Sequence, residues 1–261
     1  MSKRLSETTG VVLVMFFFFA GCEKSAVRDE SDEAVGLDPE TVSAPSGFAA
    51  EAFDAAGGLE AWTEAKKLAF DCVVAFYEPD GSFYLTEQSY VVYPWSETVD
   101  ILGREPKGGY AWRFSNGQMS ELQSDGQIVY FPASLERPCF AQAILAIASA
   151  PVHFLKPSAL FSRQDAAVKK QGQWYYPIHQ TGKRSGGAVF YQNRDTLLVD
   201  MIRVSCSGAN KPLTVRGYDY RRIAKGGPIV PARIEIFSTD AAGFLQERLV
   251  KMNCHTMALA K

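Results

Sequence analysis

Histidine is scarce in this chain of 261 residues, which has only His153, His179 and His255. A multi-histidine metal centre is therefore not expected, and no cofactor is called for. The His-Glu-x-x-His pair of zinc proteases is missing, as are the Gly-x-x-x-x-Gly-Lys-Ser/Thr phosphate loop and the Gly-x-Ser-x-Gly nucleophile elbow. Positive charge is not in excess either. The 27 Lys and Arg face 29 Asp and Glu, which argues against a nucleic-acid binder. No apolar run reaches the roughly 20 residues of a membrane span, and no repeat of solenoid or propeller length stands out. With 47% apolar and 21% charged residues, wholesale disorder is excluded.

The N-terminus carries an address. Lys3 and Arg4 precede the apolar run Val11-Val-Leu-Val-Met-Phe-Phe-Phe-Phe-Ala20, a pattern that suits the core of a secretory signal. Phe19-Ala20-Gly21-Cys22 follows directly and resembles the lipobox of bacterial lipoproteins, in which the cysteine receives lipid and becomes the new N-terminus. The alternative is an ordinary signal peptide with an incidental Cys22. Two or three acyl chains, at about 0.8 kcal/mol per buried methylene, would hold the protein on a membrane. Residues 1–21 therefore read as a signal peptide and 22–47 as a flexible acidic tether, marked by Asp29-Glu-Ser-Asp-Glu33. Residues 48–261 read as one domain, long enough for a single substantial core. No Asp stands in the second position after the cysteine, which leans weakly toward an outer membrane in a cell that has two.

Cys72, Cys139, Cys206 and Cys254 remain. Outside the cytoplasm they could form two disulfides in any of three pairings, while buried free thiols are the rival reading. Their wide spacings match no compact redox or zinc signature.

Periodicity supplies the fold class. Phe48, Ala52, Ala55, Leu59 and Trp62 give a helical stripe over 48–66, capped by Ser46 and broken at Gly57-Gly58. After Lys67 the period changes to two: Leu68, Phe70, Cys72, Val74 and Phe76 share one face. A second strand, 82–93, is apolar on both faces, which suggests cover on both sides or a cavity on one. Strands at 97–102, 110–114, 118–123 and 127–131 follow, punctuated by Asn116-Gly117 and Asp125-Gly126. Such tight joins require antiparallel pairing. A helix is expected near 137–149, then a short helix or loop through Leu160 and Phe161. Strands resume at 174–179, 187–192, 196–205, 213–222, 231–238 and 244–254. Ten or eleven strands in one sheet should curl, with two or three helices filling the concave side.

Three stretches carry a resemblance. They are Ala55-Ala-Gly-Gly-Leu-Glu-Ala-Trp62 running into Lys67-Leu-Ala-Phe70, Phe154-Leu-Lys-Pro157 with Leu160-Phe161, and Tyr218-Asp-Tyr-Arg221 with Gly227-Pro-Ile-Val-Pro231 and Ala232-Arg-Ile-Glu-Ile236. Together, diffusely over 48–254, they resemble bacterial exported proteins with a fold like the outer-membrane lipoprotein carriers LolA and LolB. Many relatives carry a His before the Gly-Gly; here that place is Ala56. The resemblance implies a curled half-barrel covered by helices, with an apolar pocket that in some members holds acyl chains.

No catalytic constellation is legible. Gly182-Lys-Arg-Ser-Gly-Gly187 lacks the following helix of a phosphate loop and reads as a hairpin loop, and Cys254-His255 point to opposite faces of a strand. The aromatic load is more informative. Trp62, Tyr84, Trp112, Phe140, Ile144, Phe154, Leu155 and Trp174 are the candidate pocket residues, each also explicable as ordinary core. The expected function is non-catalytic: a lipid-anchored, extracytoplasmic binding protein for a lipid, an acylated protein or another hydrophobic ligand. The alternatives are a scaffolding lipoprotein that docks a protein partner, and a hydrolase assembled from distant residues.

Overall fold

Two glycines explain how the folded part begins. The computed structural model describes residues 37–105, 108–124, 131–132, 134–156, 159–181, 187–205, 212–240 and 242–260. The helical stripe divides into α1 (Phe48–Ala55) and α2 (Leu59–Glu64). Gly57 and Gly58 between them have φ of 109° and 95°, a region that a side chain disfavours. A Cβ on Gly57 would lie 3.1 Å from the Gly227 carbonyl oxygen, so the break also lets the helix pair press against a distant turn. The cap differs from expectation: Gly47, not Ser46, is the N-cap, and no side chain bonds there.

Among the described residues thirteen strands then form one antiparallel sheet. They are β1 (Leu68–Tyr77), β2 (Phe83–Tyr93), β3 (Thr98–Glu105), β4 (Gly108–Ser115), β5 (Gln118–Ser124), β6 (Leu160–Arg163), β7 (Val168–Lys170), β8 (Gln173–Thr181), β9 (Val189–Asn193), β10 (Val199–Val204), β11 (Leu213–Arg222), β12 (Ile229–Thr239) and β13 (Leu245–Leu259). The order is β5-β4-β3-β2-β1-β13-β12-β11-β10-β9-β8-β6, with β7 paired to β8 off this path. Two hairpin meanders are thus joined through the last strand, which pairs with β1 on one side and β12 on the other.

The sheet curls because one helix touches both of its limbs. α3 (Arg137–Ala148) packs on β3, β4 and β5 and also on β10, β11 and β12. At about 4.8 Å per strand, β5 and β10 would lie nearly 40 Å apart in a flat sheet, while a helix is only about 10–12 Å across. Nine of the twelve residues of α3 are buried, from Cys139 to Ala148 with Gln142 excepted. The four alanines among them let neighbouring chains approach closely, and a 3-10 turn (Ala150–Leu155) continues the segment.

Several expectations need correction. Leu160 and Phe161 lie on β6 and not on a helix or loop. The strand expected at 127–131 falls outside the described residues except for Phe131, which has no regular structure. The second strand is covered on one face only: Phe83 and Leu85 are 58% and 62% exposed, while Tyr90 and Val92 are buried. Its apolar outer residues therefore mark a surface patch. Residues 37–47, read as tether, lie against the body, where Leu37 N–H donates to the Trp95 carbonyl at 2.9 Å and Leu37 and Val42 pack on the core. Their apolar side chains find an unoccupied edge of the core.

Cys72 and Cys254 stand opposite each other on β1 and β13 and form a disulfide. Cys139 is disulfide-bonded as well. Cys22 and Cys206 lie outside the described residues.

Candidate hydrophobic recess and its surroundings

The interior of the curl is apolar, and the space between its helices and the sheet is small. Among the described residues, the cavity between α1, α3 and β10–β12, lined by Ala52, Trp62, Ile147 and Tyr220 among others, measures only about 10 Å³. Ligand pockets usually measure about 300–1,000 Å³. An apolar guest therefore has to replace something already there.

The first turn of α3 shows what can be replaced. Phe140 is fully buried, and its ring lies 5.6 Å from Phe76, 6.5 Å from Tyr90 and 5.7 Å from Phe131. Phe131 also meets Phe76 at 5.4 Å and Trp112 at 5.8 Å, edge-on in both cases. Tyr84 stacks on Phe76 at 5.1 Å, and the Arg137 guanidinium covers Trp112 at 4.6 Å. Phe76, Tyr84, Tyr90 and Trp112 project from strands and Phe140 from a helix. Phe131 belongs to no element, and its half-buried ring fills the centre of the cluster.

The polar groups behind this recess are matched to one another. Gln88 is 2% exposed; its amide donates to the Tyr110 hydroxyl at 2.8 Å, and its carbonyl accepts from the Tyr90 hydroxyl. Burial pushes the Tyr90 phenol well above its ordinary pKa, and Tyr110 adds to the effect. Tyr90 thus stays neutral, and none of the buried side-chain atoms of Gln88, Tyr90 and Tyr110 lacks a hydrogen-bond partner. The recess suits an apolar group and would reject a charge.

No protein-family model matches the chain. A comparison with curated proteins finds no match either. Among solved structures, the fold is similar to a LolA superfamily protein from Nitrosomonas europaea, at 12% identity over 83% of this chain and 95% of that one, with a TM-score of 0.49. It is similar also to a domain assigned to outer-membrane lipoprotein sorting from Vibrio parahaemolyticus, at 10% identity over 75% and 86%, with a TM-score of 0.40. With overlays this loose, the functional reading rests on the chain's own residues.

The eight pocket residues read from the sequence do not form one group. Tyr84, Trp112 and Phe140 meet around Phe131. Ile144 is fully buried along α3, and Trp62 anchors α2 by donating its indole N–H to the Ala56 carbonyl at 3.0 Å. Phe154 and Leu155 belong to the other end of α3. There the Phe154 ring meets Phe48 at 5.3 Å, Phe161 at 5.2 Å and Phe190 at 5.3 Å. Trp174 lies outside both clusters: it is 39% exposed and covered by Arg194 at 5.7 Å. Phe131, the central ring, was missed because it was assigned to an alternating strand.

The far end of α3 holds a cluster of buried polar and ionisable groups. The Ser149 hydroxyl donates to the Leu145 carbonyl at 2.6 Å and lies 3.3 Å from His153 Nε2. His153 Nδ1 contacts Lys156 and lies 4.0 Å from Glu97, which also pairs with Lys156. Burial lowers His153 to about 4, against a smaller opposing effect of the Leu145 carbonyl, and lowers Lys156 to about 7. Serine, imidazole and carboxylate are thus close, the combination that a hydrolase would need. Ser149, however, is 0% exposed and its proton is committed to the helix end, so no face is open to a substrate. His255 is exposed while Cys254 is buried, on opposite faces as expected. Among the described residues no cluster of three or more His, Cys, Asp or Glu could hold a metal ion.

Proposed function

We propose that the protein binds a hydrophobic molecule, an acyl chain or a comparable apolar group, which displaces Phe131 from the recess formed by Phe76, Tyr84, Trp112 and Phe140. One observation carries this reading: the centre of an aromatic cluster built from strands and a helix is filled by the ring of Phe131, which itself belongs to no helix or strand. Exchange of that ring for a ligand swaps one set of apolar contacts for another and leaves α3 in place. A binding protein held to a membrane by lipid on Cys22, exported and facing away from the cytoplasm, is the setting that the N-terminal sequence supports. The architecture, which resembles lipoprotein-carrier structures, is compatible with non-catalytic carriage.

The test uses a fluorescent fatty acid analogue and the purified protein. Phe131→Ala empties the recess and should tighten binding by about tenfold, the size expected when an internal competitor is removed. Trp112→Glu should abolish it. Equal, weak binding by all three proteins would sink the reading. A second reading, docking of a protein partner, is favoured by the outer face of β1 and β2, where Phe83 and Leu85 are exposed beside Tyr77.

A further inference from the structure

The convex face of the sheet carries a separate small core. Tyr175, Val189, Tyr191 and Met201 are buried there, away from the main interior. Beside it, the end of β7 and the turn between β12 and β13 enclose a cavity of about 70 Å³, with Tyr191, Met201 and Thr214 among its lining and Phe244 and Leu245 as a wall. Lys170 is part of its lining, and Arg203 stands at its edge beside Gly243. The Lys170 ammonium donates to the Gly243 carbonyl at 3.3 Å. A Cβ built on Gly243 would lie 3.2 Å from an Arg203 terminal nitrogen and 3.5 Å from the Lys170 nitrogen, so the two charges stand within about 7 Å of each other. Gly243 has φ of 82°, and its lack of a side chain lets both cations approach its backbone.

Among the described residues neither Lys170 nor Arg203 is in an ion pair with a carboxylate. The acid in the same turn, Asp240, is committed to the Phe244 N–H at 2.8 Å and the Gln246 amide at 3.1 Å. Among the described residues Arg203 Nε is buried with no hydrogen-bond partner, as are Arg216 and Arg233 Nε, and such a donor gains from an added acceptor. The faces of Tyr191 and Phe244 steady Lys170 at 6.0 and 5.4 Å, but an aromatic face cannot accept the remaining guanidinium protons in the way an oxyanion does.

We propose that this cavity binds the phosphate of an organic phosphate ester, held between Lys170 and Arg203, with its apolar substituent against Met201, Tyr191 and Phe244. The phosphate could be that of a soluble ester or of a phospholipid headgroup. The site lies on the face opposite the Phe131 recess, and the inference does not rest on the function proposed for that recess.

Calorimetry of the full chain with inorganic phosphate and glycerol 3-phosphate tests the soluble source, and flotation with vesicles of phosphatidylcholine, with and without phosphatidylglycerol, tests the lipid source. Binding of the soluble phosphates supports a free ester; binding only to the phosphatidylglycerol vesicles supports a headgroup. In either case Lys170→Gln and Arg203→Gln should each weaken binding by about tenfold or more, as expected for loss of a charge-assisted contact. Lys225→Gln, an exposed lysine in the turn between β11 and β12, should leave it unchanged. If Arg203→Gln does not fold, the half-exposed Lys170 carries the comparison alone. Wild-type protein that binds no phosphate in either form, or variants that bind as wild type does, would overturn the proposal.

Discussion

The two ends of α3 are both aromatic, yet they are held in opposite ways. At its first turn, Phe140 meets a ring, Phe131, that no helix or strand fixes. At its last, the 3-10 turn places Phe154 against Phe48, Phe161 and Phe190, whose positions are set by α1, β6 and β9. The same end also buries Ser149, His153 and Lys156 in one hydrogen-bonded group with Glu97. Apolar packing alone tolerates exchange of one ring for another group of similar size. A buried polar group does not, because each member left unpaired carries its full desolvation penalty. The first end can therefore admit a guest, while the second fixes where the helix lies.

That contrast can be broken by substitution. The largest effect belongs to the fixed end: Phe190→Ala should cost about 3–5 kcal/mol in denaturant unfolding and should leave fatty-acid probe binding no tighter. If Phe190→Ala instead tightened probe binding as Phe131→Ala does, the two ends would be equivalent.

Next in size is the pH response of the buried imidazole. His153 at about 4 in the folded chain, against 6.5 unfolded, binds fewer protons when folded, so stability rises as pH climbs from 4 to 6.5 and is lost on the way down. The full swing is about 3 kcal/mol as an upper bound, and His153→Gln should flatten it in melts across that window. Lys156, at about 7 against 10.5, continues the rise above neutrality, partly offset by the Glu97 carboxylate beside it. A His153→Gln curve that keeps the wild-type slope would show that the imidazole is not buried at this end.

Smaller still is the loss at the exchangeable end. Phe131→Ala should cost only about 1–2 kcal/mol, because its ring is half exposed already. The smallest belongs to neither end: Asp100→Asn breaks the two-point contact with Arg113, at 2.7 and 2.8 Å on the outer face of β3 and β4. Arg113 is 44% exposed, so the change should stay below about 1 kcal/mol and leave probe binding untouched.

Much of this architecture is legible in the sequence wherever the period is unambiguous. The alternation from Leu68 to Phe76 gives β1 with its buried face, and Gly57-Gly58 gives the break between α1 and α2. β6 and β7 are four and three residues long, too short for any periodicity to separate them from a loop. On β2, Phe83 and Leu85 have the hydrophobicity of core residues, but whether a second layer covers them depends on the rest of the fold. The recess was half legible. Trp112, Phe140 and Tyr84 stand out as aromatics at helix-to-sheet contacts, whereas Phe131 is placed by tertiary packing and not by its neighbours in sequence. The Lys170 and Arg203 pair had no local signal at all, since 33 positions separate them and only the turn at Gly243 brings them together.

The position of β13 has a consequence for how the molecule is made. Among the described residues its 15 residues form the one strand that links β1–β5 to the half running from β12 to β6, so each half meets the other through β13. Until β13 is in place, β1 and β12 each present an unpaired edge, and only helix packing holds the two halves together. A chain stopped short of residue 245 would be two sticky half-sheets, a form that quality-control proteases and chaperones would meet long before any ligand did.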